Sequence, residues 1–78
     1  MAKKGTPRDD GLHRILAQNV RRLRLKTGLT QQQLSRRCRL HHSYVGRLET
    51  NAPRNPGLES LVRLAKGLGV TVIELLTR

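Results

Sequence analysis

The sequence predicts an all-α fold, a compact chain of five short helices. Three observations predict it. Apolar residues recur at three- and four-residue spacing in each segment, two Thr-x-x-Gln/Glu pairs mark helix starts, and no stretch alternates apolar and polar residues as a half-buried strand would.

Leu12, Ile15, Leu16, Val20 and Leu23 share one face of a predicted first helix of about four turns. It is bounded by Asp10 as N-cap and by Gly28, which suits a left-handed closing position. Thr30 with Gln33 is a capping-box pair opening a second helix that runs to about Arg37. Cys38, Arg39 and Leu40 then form a turn. A third helix is predicted from His41 or His42, turning Tyr44, Val45 and Leu48 inward until Asn51, Pro53 and Pro56 stop it. Leu58, Leu61, Val62, Leu64, Ala65 and Leu68 define a fourth helix that ends at the Gly67/Gly69 pair. Thr71 with Glu74 opens the fifth.

Composition narrows the function. With 78 residues, 36% of them apolar, no Phe or Trp and a single Tyr, the core is small and aliphatic and leaves no room for a substrate-burying cavity. Sixteen Lys and Arg against five Asp and Glu give a net charge of +11, the electrostatic footprint of a polyanion binder. Nucleic acid is the expected polyanion, ahead of an anionic membrane surface. The charge is concentrated: Gly11 to Leu48 contains nine Lys or Arg residues and no acid. Residues 1–10, with Lys3, Lys4 and Arg8 against Asp9 and Asp10, read as a flexible basic N-terminal arm, and residues 11–78 as one domain.

One cysteine excludes an intramolecular disulfide framework, and no apolar run is long enough for a membrane span. The N-terminal residues lack the apolar core of a signal peptide, so a cytoplasmic, nucleoid-associated location is expected. Cys38, His41 and His42 lie within five residues, but structural zinc takes four ligands and Cys38 stands at an apolar turn position, so no metal or cofactor is expected. No nucleophile–base–acid set, glycine-rich phosphate loop or carboxylate pair appears, and no enzymatic activity is expected.

Two short helices joined by a three- or four-residue turn, with the second polar on one face, are the arrangement that places an exposed helix in the major groove. Leu34, Ser35, Cys38, Leu40, Val45 and Leu48 are the positions that such a pair buries. Residues 28–49, Gly-Leu-Thr-Gln-Gln-Gln-Leu-Ser-Arg-Arg-Cys-Arg-Leu-His-His-Ser-Tyr-Val-Gly-Arg-Leu-Glu, resemble the lambda repressor/Cro-type helix-turn-helix family, the xenobiotic-response-element type. The stretch from Ser43 to Glu49 is similar to restriction-modification controller proteins.

The resemblance implies a five-helix lambda-repressor-like domain that binds an operator as a homodimer. Its recognition helix falls around residues 42–50, with its N-cap on His41 and base contacts from His42, Ser43, Gly46, Arg47 and Thr50. Arg47 also suits this role chemically, because a guanidinium pairs bidentately with guanine O6 and N7. Phosphate contacts are implied or expected for Gln31, Arg39, His41, Tyr44, Arg54 and Asn55. Arg24 and Glu49 are implied to form a structural salt bridge between the first and third helices.

Ser35 stands where the family usually has alanine, Gly57 where it has a Ser or Thr helix cap, and Arg39 where it has glycine. An arginine at positive φ in that turn would cost roughly 1 kcal/mol. Val72, Ile73 and Leu76 are expected to make the dimer interface, with closure of the monomer core as their alternative role. The expected function is a sequence-specific regulator of transcription on a pseudo-palindromic operator, its partners double-stranded DNA, a second copy of the chain and RNA polymerase. An antitoxin or other protein-binding module would use the same fold.

Overall fold

The computed structural model describes residues 10–50 and 56–78, within which five helices follow one another: α1 Asp10–Thr27, α2 Gln31–Arg37, α3 Tyr44–Glu49, α4 Leu58–Leu68 and α5 Val72–Leu76. The described residues contain no strand, and no helix among them is long and apolar enough to cross a membrane. Residues 1–9 of the expected N-terminal arm, Arg54 and Asn55 lie outside the described residues, while Asp10 belongs to α1.

Both capping boxes form. The Thr30 hydroxyl accepts the Gln33 amide while the Gln33 side chain accepts the Thr30 amide, and Thr71 and Glu74 repeat the exchange. α1 opens at Asp10 itself rather than after it. Gly57 precedes α4 without a side-chain cap.

Three helices close by the same device. A left-handed residue ends the turn, its amide returning three residues and the next amide five: Gly28 and Leu29 to Leu25 and Arg24, Gly69 and Val70 to Lys66 and Ala65, and Arg39 and Leu40 to Arg36 and Ser35. Two of the three positions are glycine; the third is Arg39 at φ 61°. The expected strain in the turn is therefore present. Gly67 is still helical and serves packing, because a Cβ there would overlap the Cys38 sulfur.

Leu16 and Val20 of α1, Leu34 of α2, Cys38, Val45 and Leu48 of α3, Leu64 and Ala65 of α4 and Leu75 of α5 form one buried cluster. The apolar faces predicted for the longer helices are not wholly covered: Leu12 and Leu58, near the starts of α1 and α4, and Val62 within α4 are exposed. Leu75, which the sequence pattern does not single out, is fully buried. Buried Asn19 donates to the carbonyls of Leu75 at 2.8 Å and Thr77 at 2.9 Å, so α1 satisfies the end of a five-residue helix that has no closing residue of its own.

Burial pushes the Cys38 thiol up, more than the nearby Arg37 draws it down. Iodoacetamide at about pH 8 is therefore expected to leave Cys38 unmodified in the native protein and to alkylate it in denaturant, as read by intact mass. Rapid labelling of the native chain would contradict its packing against Gly67.

Candidate nucleic-acid interface

A six-residue helix is far too short to persist alone in water, so α3 exists because its neighbours hold it. Val45 and Leu48 are buried against the other helices. The Val45 amide donates to the hydroxyl of Ser35 on α2 at 3.0 Å. Ser43, the residue before α3, makes no side-chain cap bond, so Ser35 satisfies an α3 amide that an alanine there would leave unpaired.

The far end is tied by charge. Arg24 of α1 donates through Nε to Glu49 Oε2 at 2.7 Å and through Nη2 to Oε1 at 3.0 Å, a bidentate pair. Gln31 of α2 donates to the same Oε1 at 2.9 Å, and Arg24 Nη1 reaches the Leu29 carbonyl. The Glu49 side chain is 3% exposed and that of Arg24 12%. The hydrogen bond to Glu49 raises the Arg24 pKa against the opposing effect of burial. The predicted structural pair is thus present, enlarged to a junction of three helices.

The outer side of this assembly is an open cleft of about 450 Å³ lined by Gln31, Gln32, His42, Ser43, Gly46, Arg47 and Thr50. All five residues expected to read bases line it, as does Gln31; Gln32 was not anticipated, although its place one residue after Gln31 on an exposed helix face is a signal that could have found it. The α3 helix is shorter than the expected 42–50. It begins at Tyr44, with His42 and Ser43 in the turn before it and Thr50 just after it.

The N-cap position accordingly falls on Ser43 rather than His41. His41 nevertheless organises the turn: its carbonyl accepts the Tyr44 amide at 2.8 Å, and its Nδ1 accepts the Ser43 amide at 3.2 Å. The His41 and His42 rings lie 4.3 Å apart. Gly46 has an internal explanation, since a Cβ there would stand 3.0 Å from Gln31 Oε1. The glycine makes room for the side chain that braces Glu49, whatever approaches from outside.

Tyr44, expected to turn inward, is half-buried with its ring against the core cluster. Arg39 does not reach this cleft; it lines a second one beside α4. In α5, Ile73 is 76% exposed, whereas Val72 and Leu76 are half-buried against the core, so two of the expected interface trio pack in part within the chain itself. No group of three metal-ligating side chains comes together among the described residues.

Residues 20–75 match the family model described as "Helix-turn-helix". The chain is 45% identical over 64 residues to control protein C.SmaI of Serratia marcescens, covering 82% of this chain and 75% of that protein. Among solved structures it is similar to the hypothetical transcription factor NHTF from Neisseria, with a TM-score of 0.81 at 31% identity over 99% of this chain and 87% of that one. It is also similar to the restriction-modification controller protein C.AhdI from Aeromonas hydrophila, with a TM-score of 0.74 at 35% identity over 81% and 94% of the two chains.

Proposed function

The chain belongs to the helix-turn-helix family, and from that premise we propose that it is a sequence-specific regulator of transcription of the restriction-modification controller kind, binding double-stranded DNA as a homodimer on a pseudo-palindromic operator. The observation that carries the reading is the convergence of His42, Ser43, Gly46, Arg47 and Thr50 on one cleft at the exposed side of α3.

In this reading the cleft wall meets base edges in the major groove. Arg47 is the principal reader, its exposed guanidinium offering a fork to guanine O6 and N7, with His42, Ser43 and Thr50 as shorter donors and acceptors beside it. Gln31 has one Nε2 hydrogen committed to Glu49 and one left for a phosphate at the groove edge. His41 and the hydroxyl of Tyr44 complete the backbone contacts. The chain is regulatory rather than enzymatic on this account.

Selection of bound sites from a random duplex pool at about 0.15 M salt tests it. Enrichment of an inverted repeat with half-sites about 34 Å apart is expected. Arg47→Ala is expected to relax one base pair in each half-site, a loss of about 1–3 kcal/mol of discrimination. Binding without enrichment sinks the sequence-specific reading, and uniform weakening by Arg47→Ala makes that residue a phosphate contact.

Ile73 supplies the dimer contact, with the exposed edges of Val72 and Leu76 around it. Ile73→Asp is expected to convert dimer to monomer in analytical ultracentrifugation while the helical circular dichroism stays intact. A variant that remains dimeric places the interface elsewhere.

A further inference from the structure

A second cleft, of about 420 Å³, lies between the turn after α2 and the later part of α4, lined by Arg37, Cys38, Arg39, Arg63, Lys66 and Gly67. Four of its six lining residues are cations and none is an acid. We propose that it is a second anion site, taking a small molecule that carries two or more phosphate groups, separate from the cleft that faces the duplex.

Three features support the assignment. The walls come from two elements, with Arg37 and Arg39 on one side and Arg63 and Lys66 on the other, so a bound anion is flanked by cations from both. Arg63 is held in place: its Nη1 donates to the Arg39 carbonyl at 2.7 Å and its Nη2 to Glu59 Oε2 at 2.8 Å, leaving three of its N–H groups for a ligand. Between the two walls lie Cys38, which is buried, and Gly67, packed so closely that a Cβ on the glycine would overlap the Cys38 sulfur. The backbone at Arg39 adds a fourth observation. Equivalent closing positions after α1 and α4 are glycine, whereas here an arginine occupies the left-handed region at φ 61° and lines the cleft. Strain held at such a position marks a functional site when a surrounding constellation accounts for it.

Position separates this cleft from the first one. Gln31, at the first residue of α2, lines the recognition cleft, and Arg37, at the last, lines this one. Seven residues of helix place the two about 10 Å apart along α2, on opposite ends. The concavity matches the lower range of small-ligand sites, about 300–1,000 Å³. Because the cleft includes the turn that leads into α3, occupancy would bridge that turn to α4.

Titration of the full chain with inorganic tripolyphosphate by calorimetry, at about 0.15 M salt and without DNA, tests the site. One saturable site per chain is expected. Lys66→Glu, an exposed substitution, is expected to weaken it about tenfold or more, Arg47→Ala to leave it unchanged, and orthophosphate to bind far more weakly. Lack of saturation, equal loss in Arg47→Ala, or equal affinity for orthophosphate overturns the proposal. So does a Lys66→Glu chain that loses affinity for a short duplex as strongly as for tripolyphosphate, since the cleft would then seat the DNA backbone. The regulator reading stands or falls separately, on the duplex-pool selection.

Discussion

Glu49→Ala is expected to destabilise the fold by about 3–5 kcal/mol, the cost of removing one partner of a buried ion pair and stranding the other. Arg24 would keep only its bond to the Leu29 carbonyl, and the Gln31 amide would lose its acceptor on Glu49. For a 78-residue domain, whose whole stability is on the order of 4–12 kcal/mol, such a loss brings the chain close to unfolding at physiological temperature. Urea denaturation measures it directly. The internal control is the Glu59–Arg63 pair, similarly short at 2.8 Å but with side chains 78% and 42% exposed, for which Glu59→Ala should change stability by no more than about 0.5 kcal/mol. Similar effects from the two substitutions would mean that burial, the difference between them, does not govern the Glu49 junction.

Leu75→Ala is expected to cost about 2–5 kcal/mol by the same measurement, from lost apolar burial plus the cavity left behind. Leu75 is the buried residue of α5, a helix of five residues that otherwise depends on its capping box and on the Asn19 bonds to its last carbonyls. The neighbouring Ile73 is 76% exposed, so its replacement should spare the monomer fold. A destabilisation below about 1 kcal/mol for Leu75→Ala would show that α5 is held by its backbone caps alone.

Much of this architecture is legible in the residues because helix ends have chemical signatures. Thr30/Gln33 and Thr71/Glu74 cap as their spacing requires, Gly28 and Gly69 supply left-handed closures, and Arg39 takes the strained conformation that its place in the turn implies. Most of the membership of the cleft beside α3 came through the resemblance carried by residues 28–49, which missed only Gln32. Four things were not legible in the residues. The true start of α3 depends on a hydrogen bond from the Ser43 amide to a histidine ring, for which no propensity exists. The reason for Gly46 lies 15 positions earlier, in the Gln31 side chain, and the role of Ser35 as an acceptor for Val45 becomes visible only when two helices cross. Leu75 sits in an apolar run with no polar residue between it and Leu76, so periodicity could not say which of the two points inward.

The way α3 is anchored has an evolutionary consequence. Its ties to the rest of the protein, through Val45, Leu48 and Glu49, all lie on the inner side. His42, Arg47 and Thr50 are exposed and contribute no bond between helices. Substitutions at those outer positions can therefore accumulate without eroding the scaffold, so that, on the proposed reading, one fold can acquire new addresses along a genome by a few single-codon changes while its inner residues stay under separate selection.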